Sequence, residues 1–281
     1  MPQFTLQSKK KLADGNEIPI LGFGMRPSPP VMLDGRETYH IPQAGYRHID
    51  CATWYYNEKE CGEAIRAWLK ETGTPREEIF YTTKLMTNVS YEQTLKDIDA
   101  SLKACGLEYI DLYLLHSAIG GPEKRRECWR AVCDAKKAGK VRSIGVSNYG
   151  VAHLQEMVDQ GFELPVINQV DLHPFMTRVD IVSMCRKLNI ALEAWGPLVR
   201  GLRFGHPSIT SLAKKYNKQP AQVLLRYSIQ KDYLPIPKAS SKERIIANTQ
   251  IFDFELTQEE MDHLDSLDEA LVTDWEVTTC P

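Results

Sequence analysis

The chain lacks any run near the roughly 18 consecutive apolar residues that a membrane-spanning helix needs. Its opening residues, MPQFTLQSKKKLADG, lack the apolar centre and small-residue cleavage site of a secretory leader. We therefore expect no membrane association and a cytoplasmic address. It also lacks an excess of either charge: Lys and Arg number 34 against 37 Asp and Glu, a net of −3. Nucleic-acid partners, which call for a basic patch, are not expected. The seven cysteines (Cys51, Cys61, Cys105, Cys128, Cys133, Cys185 and Cys280) include no CxxC pair. An odd, scattered set fits neither a disulfide framework nor a zinc ribbon, and reads as buried thiols of a reducing compartment. Also missing are HxH, HExxH, GxSxG and GxGxxG motifs. Their absence argues against a metal hydrolase, a serine nucleophile on a tight elbow, and a glycine-rich dinucleotide loop.

What is present is alternation. Short β-rich runs at Ile20–Phe23, Tyr46–Asp50, Ile79–Lys84, Ile110–His116, Arg142–Ser147, Val166–Val170, Ile190–Trp195 and Leu234–Pro237 are separated by longer helical stretches. These runs supply enough strands to close a (β/α)₈ barrel, the TIM barrel, and we read residues 1–281 as a single α/β domain of that kind. Phe4–Leu12 and Glu17–Pro19 flank a turn of Ala13, Asp14, Gly15 and Asn16, which predicts an N-terminal β-hairpin closing the bottom of the barrel. Ser90 with Gln93 predicts a capping box, and Leu95, Ile98, Leu102 and Cys105 then recur at helical spacing until Gly106. One segment breaks the grammar. Asp34–Ala44 should hold a helix, but Pro42 sits in its last turn and the apolar stripe is thin, so a short or irregular helix is expected there.

In such barrels the chemistry sits at the C-terminal ends of the strands. Those ends carry Asp50, Lys84, His116, Ser147 with Asn148, Gln169, Trp195 and Lys238. His48 shares a face with Asp50, but no histidine on a neighbouring strand completes a metal site, so no metal is expected. A carboxylate, a lysine and a histidine remain on neighbouring strands, with Tyr55 and Tyr56 on the loop after Asp50. A phenol has a pKa of about 10 and donates a proton better when a nearby ammonium lowers it. Lys84 is placed to do that, Asp50 to hold the ammonium charged, and His116 to orient a carbonyl.

At these residues the sequence resembles the aldo-keto reductase family over nearly its whole length. The resemblance is carried by GYRHIDCATWYYNEKECGEAI, YTTKL, DLYLLHS, IGVSN, NQVDLHP, AWGPL and IPKASSKERIIAN, in the family's order. It implies a (β/α)₈ enzyme that reduces aldehydes or ketones with NADPH. It implies Asp50, Tyr55, Lys84 and His116 as the catalytic group, with Tyr55 the proton donor because it stands two residues before Asn57-Glu58. Ser147, Asn148 and Gln169 are implied to bind the nicotinamide carboxamide, and Trp195, where tyrosine is usual, to stack on its ring. Lys238 and Arg244 are implied to bind the 2′-phosphate and Asn248 the adenine. The family binds its cofactor without a GxGxxG loop.

This chain departs from the family at several positions: Cys51 in the first signature, Met25 after GFG, Ser117 after His116, and Ala239 after the motif lysine. The changes at Met25 and Ser117 imply a more open substrate site, and Ala239 removes one possible phosphate hydroxyl. The HS pattern and the short C-terminal tail resemble fungal members that act on ketones and α-dicarbonyls. A monomer with a small carbonyl substrate is the expected state. The alternative is a cofactor-binding regulatory subunit with little turnover.

Overall fold

The computed structural model describes residues 4–26 and 35–281. Eight parallel strands follow one another round the sheet in chain order. They are β3 (Gly22–Gly24), β4 (His48–Asp50), β5 (Phe80–Leu85), β6 (Ile110–Leu115), β7 (Val141–Ser147), β8 (Ile167–Asp171), β9 (Ala191–Trp195) and β10 (Leu234–Pro235). Each falls on one of the runs read from sequence, with ends moved by one or a few residues. The Gly24 amide donates to the Pro237 carbonyl at 3.0 Å and brings the first barrel strand against the last. A Cβ on Gly24 would stand 3.0 Å from the Ile236 carbonyl oxygen, so a side chain there crowds this junction. Every residue of β5 and β6 is buried, which is why β6 reads as a near-continuous apolar run rather than an alternating one, while β5 carries Thr82, Thr83 and Lys84 into the interior.

The hairpin strands β1 (Lys9–Lys11) and β2 (Glu17–Pro19) pair antiparallel, with Lys9 opposite Pro19 and Lys11 opposite Glu17. The turn between them is tied to the N-terminal end of β7, where Ser143 Oγ donates to Asp14 Oδ2 at 2.8 Å. The hairpin thus covers the end of the barrel opposite the strand C-termini.

Helices fill the crossovers. In α2 (Glu58–Thr72) the buried side is Cys61, Ala64, Ile65 and Trp68. It meets the end of α3 (Tyr91–Cys105) so closely that a Cβ on Gly62 would lie 1.9 Å from the Cys105 carbonyl oxygen. Ser90 accepts the Gln93 amide at 3.2 Å and Gly106 closes α3 at φ +62°. The predicted capping box is only half formed, because the Gln93 side chain donates to Asp97 at 2.8 Å instead. The suspect segment is a nine-residue helix, α1 (Gly35–Gln43); Asp34, where we expected it to open, lies outside the described residues. It survives Pro42 because the proline sits at its C-terminal end, where Arg47 Nη1 donates to the Pro42 carbonyl at 3.0 Å, and because Ile41 is anchored in the core.

Between β9 and β10 run α7 (Pro207–Tyr216) and α8 (Pro220–Gln230). Ile209, Leu212, Val223, Leu224 and Tyr227 of these helices join Met261 and Leu264 of α10 (Gln258–Asp265) in a second, smaller apolar cluster. Five of the seven cysteines are buried thiols, while Cys133 and Cys280 are partly exposed. No described helix is long and apolar enough to cross a membrane.

Candidate active site

The C-terminal ends of the strands surround a cavity of about 950 Å³. Asp50, Tyr55, His116, Ser147, Asn148, Gln169, Trp195, Lys238, Arg244 and Asn248 all line it, so sequence reasoning and geometry meet at one place. Lys84 is the exception among the sequence-derived residues. It lies within β5 rather than at the rim and is wholly buried behind the cavity wall.

Tyr55 reaches the cavity through a 3-10 turn, Thr53–Tyr55, that follows β4. The turn ends at Tyr56 with φ 54°, a left-handed backbone conformation. Both tyrosines line the cavity but differ in packing: Tyr56 is 71% exposed, whereas the Tyr55 ring packs edge-on against His116 with centroids 5.9 Å apart. Lys84 Nζ stands 5.1 Å from the Tyr55 ring centroid.

Lys84 Nζ donates to Asp50 Oδ1 at 2.6 Å and to the Cys51 carbonyl at 2.8 Å. Burial works against this ammonium, but Asp50 together with Tyr55 and Glu193 outweighs it and holds the lysine above its usual range. Burial likewise pushes the Asp50 carboxyl up, against the pull of Lys84. The expectation for Tyr55 needs correction. Lys84 does favour its phenolate, as read from sequence, but burial is the larger influence and the phenol ends above its ordinary value. Tyr55 therefore rests as a phenol. His116 is held well below the usual histidine range, by burial first and then by Lys84 and Arg26, so it is a neutral imidazole.

A polar chain continues inward from Asp50. Gln169 Nε2 donates to Asp50 Oδ2 at 2.9 Å and to Glu193 Oε2 at 3.0 Å. Glu193 Oε1 faces His48 Nε2 at 3.3 Å, and that nitrogen is also 3.2 Å from Thr82 Oγ1. Glu193 is fully buried; burial, then the neighbouring Asp50, push its carboxyl up to about 8. His48 is pulled down to about 3 by burial and by Lys84. The strand-end reading missed Glu193. Its signal was an acid alternating with Trp195 on an otherwise apolar strand, a spacing that puts both on one face.

Both amide hydrogens of Gln169 are committed inward, so its carbonyl oxygen is the side-chain atom left to accept a ligand N–H. Beside it, Asn148 Nδ2 donates to the His116 carbonyl at 3.1 Å and to Ser147 Oγ at 3.0 Å. Trp195 Nε1 donates to Asn148 Oδ1 at 2.9 Å, which fixes the indole over the cavity. The Asn148 backbone is left-handed (φ 57°), a conformation that asparagine tolerates better than most residues. Further along, Lys238 and Arg244 form a cationic end to the cavity, with Arg244 Nη2 on Ser240 Oγ at 2.9 Å. Amide acceptors, an aromatic face and a cationic end in one elongated cavity fit the groups of a nicotinamide dinucleotide phosphate.

Other lining residues had no sequence signal as site members: Arg26, Trp54, Asp274 and Trp275. Trp54 stacks edge-on against both His116 and Trp275, with centroids 5.9 Å and 5.8 Å apart.

A parallel eight-stranded barrel with titratable residues gathered at its strand C-termini is the framework of a (β/α)₈ enzyme. The aldo/keto reductase family model matches residues 38–269, and the chain belongs to that family. It is an oxidoreductase of the aldo-keto reductase type. It is 46% identical over 244 residues to an uncharacterized oxidoreductase of Schizosaccharomyces pombe, covering 86% of this chain and 88% of that protein. It is 40% identical over 268 residues to the glyoxal reductase of Bacillus subtilis, covering 94% of each. Among solved structures, the Bombyx mori aldo-keto reductase in complex with NADP superposes with a TM-score of 0.90 at 34% identity, covering 98% of this chain and 99% of that one.

Proposed function

We propose that the protein reduces aldehydes and ketones to alcohols with NADPH, and that Tyr55 is the general acid. The observation that carries this reading is Tyr55 on the cavity wall, between the Lys84 ammonium and the neutral His116. NADPH, when bound, supplies the hydride that reaches the carbonyl carbon.

The chain's own residues do the rest. The Gln169 carbonyl accepts from the nicotinamide carboxamide, Ser147 and Asn148 complete its hydrogen bonds, and Trp195 covers the ring. Lys238 and Arg244 hold the 2′-phosphate, for which a guanidinium fork is well shaped, and Asn248 meets the adenine. His116, being neutral, donates one N–H to the carbonyl oxygen without giving up its proton. Tyr55 donates its proton to that oxygen as negative charge develops there. An alkoxide is a stronger base than a phenolate, so a resting phenol is a competent donor despite its raised pKa. Lys84, fixed by Asp50, then stabilises the phenolate that remains.

Loss of reduced nicotinamide absorbance on mixing with small aldehydes, ketones and dicarbonyls tests the reading. The name of the Bacillus subtilis relative makes glyoxal a sensible first substrate. Turnover that disappears in Tyr55→Phe supports the reading. No turnover above that variant across a broad panel overturns it.

A further inference from the structure

Arg26 stands two residues after the end of β3 and lines the same cavity as Tyr55, His116 and Trp54. Its guanidinium is about half exposed and pairs with the Asp274 carboxylate. The same Asp274 oxygen takes Arg200 Nη2 at 2.9 Å, so one carboxylate bridges two guanidiniums across the cavity mouth. The arrangement is built from three separate parts of the chain. Val199 and Arg200 both have left-handed backbones, φ 52° and 49°, in the short turn Val199–Gly201 after β9. Asp274 is held from the C-terminal tail, because the preceding Thr273 gives its amide and hydroxyl to buried Asp171 Oδ2 at 3.1 Å and 2.9 Å.

Charge counting around the cavity is one-sided. Among the described residues its lining acids are Asp50 and Asp274, against Arg26, Arg200, Lys238 and Arg244. Asp50 is occupied by buried Lys84. With Lys238 and Arg244 assigned to the cofactor phosphate, the reacting end keeps two guanidiniums and one carboxylate. Arg26 is close enough to that end to favour the Tyr55 phenolate and to disfavour a protonated His116. A guanidinium that lines the cavity with Tyr55 and His116 and is paired with a partly exposed acid is suited to exchange that acid for a ligand carboxylate of the same shape.

We propose that Arg26 recognises a carboxylate on the substrate, and that the preferred substrates are carbonyl compounds bearing a carboxylate a few bonds from the reacting carbon. Asp274 occupies the place of that carboxylate when no substrate is present, and Trp54 and Trp275 flank the chain between the two groups. The inference rests on the carbonyl-reductase reading above.

The test compares each oxo acid with its own methyl ester, for instance succinic semialdehyde with methyl 4-oxobutanoate, and reads the ratio of the two kcat/KM values. Wild type favours the acid by tenfold or more. Arg26→Met lowers that ratio at least tenfold, Arg26→Lys keeps part of it, and Asp274→Asn, which removes the internal competitor, raises it. A ratio near unity in wild type, or one that Arg26→Met leaves unchanged, overturns the inference. Calorimetric binding of 4-hydroxybutanoate to the NADP⁺-loaded protein reads the same contact without turnover. Binding that is absent, or equal in Arg26→Met, also overturns it. Esters that are reduced without any preference for acids sink only this inference, whereas a protein that reduces no carbonyl at all sinks the reading beneath it.

Discussion

Lys84 and Asp50 form an ion pair of 2.6 Å that is closed off from solvent, with neither side chain more than 2% exposed. The pair joins adjacent strands, β5 and β4, and sits under the Tyr55 ring. Removing one partner leaves the other as an uncompensated buried charge. Asp50→Asn is therefore expected to lose about 3–5 kcal/mol of folding stability, read from the urea midpoint. Asp50→Asn with Lys84→Met loses less than the sum of the two single changes, because no charge is then stranded.

Glu193 and His48 predict how stability follows pH. Glu193 titrates at about 8 in the fold against an ordinary 4.5, so between those values the folded chain holds a proton that the unfolded chain has released. Its contribution is present below pH 4.5 and lost as pH rises through about 8. His48, at about 3 against 6.5, acts oppositely: its contribution is present above pH 6.5 and lost as pH falls through about 3. From pH 6.5 to 8 Glu193 acts without that opposition. In this window the Tm of Glu193→Gln should rise relative to wild type as pH increases. A difference that does not change with pH contradicts the assignment.

Arg244 should matter for one dinucleotide and not the other. A charge-assisted hydrogen bond is worth about 1.5–3 kcal/mol, so Arg244→Met should weaken NADPH by about tenfold to 150-fold. NADH, which has no 2′-phosphate, should be little affected. Fluorescence titration with both dinucleotides checks this, and equal losses would show that Arg244 contacts something other than that phosphate.

The barrel was legible in the sequence because its strands are buried on both faces. Runs such as Ile110–Leu115 stand out from the amphipathic helices around them, and Gly106 and Gly139 mark where helices stop. The rim residues were legible for a related reason. A polar side chain at or near the end of an apolar strand is conspicuous, and Asp50, His116 and Gln169 all are.

What stayed hidden depends on contacts between distant segments. Glu193 lies inside its strand, and only its distance from Gln169 and His48 makes it part of the site. Asp274 reaches the cavity because Thr273 is tied to Asp171, a contact across 102 positions of sequence. Val199 and Arg200 adopt left-handed backbones without glycine, so local composition gave no sign of the turn that presents Arg200. The acidity of Tyr55 was misjudged for a similar reason, since Lys84 was expected to lower its pKa and burial raises it. A neighbouring lysine can be inferred from strand order, but the extent of burial that outweighs it comes from the packed structure.

The central claim is that Tyr55 delivers the proton, and single-turnover reduction of an aldehyde by the Tyr55→Phe protein preloaded with NADPH tests it most directly. Loss of a general acid costs about 10²–10⁴-fold in rate, and the account predicts a loss of that size with the dinucleotide dissociation constant unchanged. An undiminished single-turnover rate in Tyr55→Phe would contradict it.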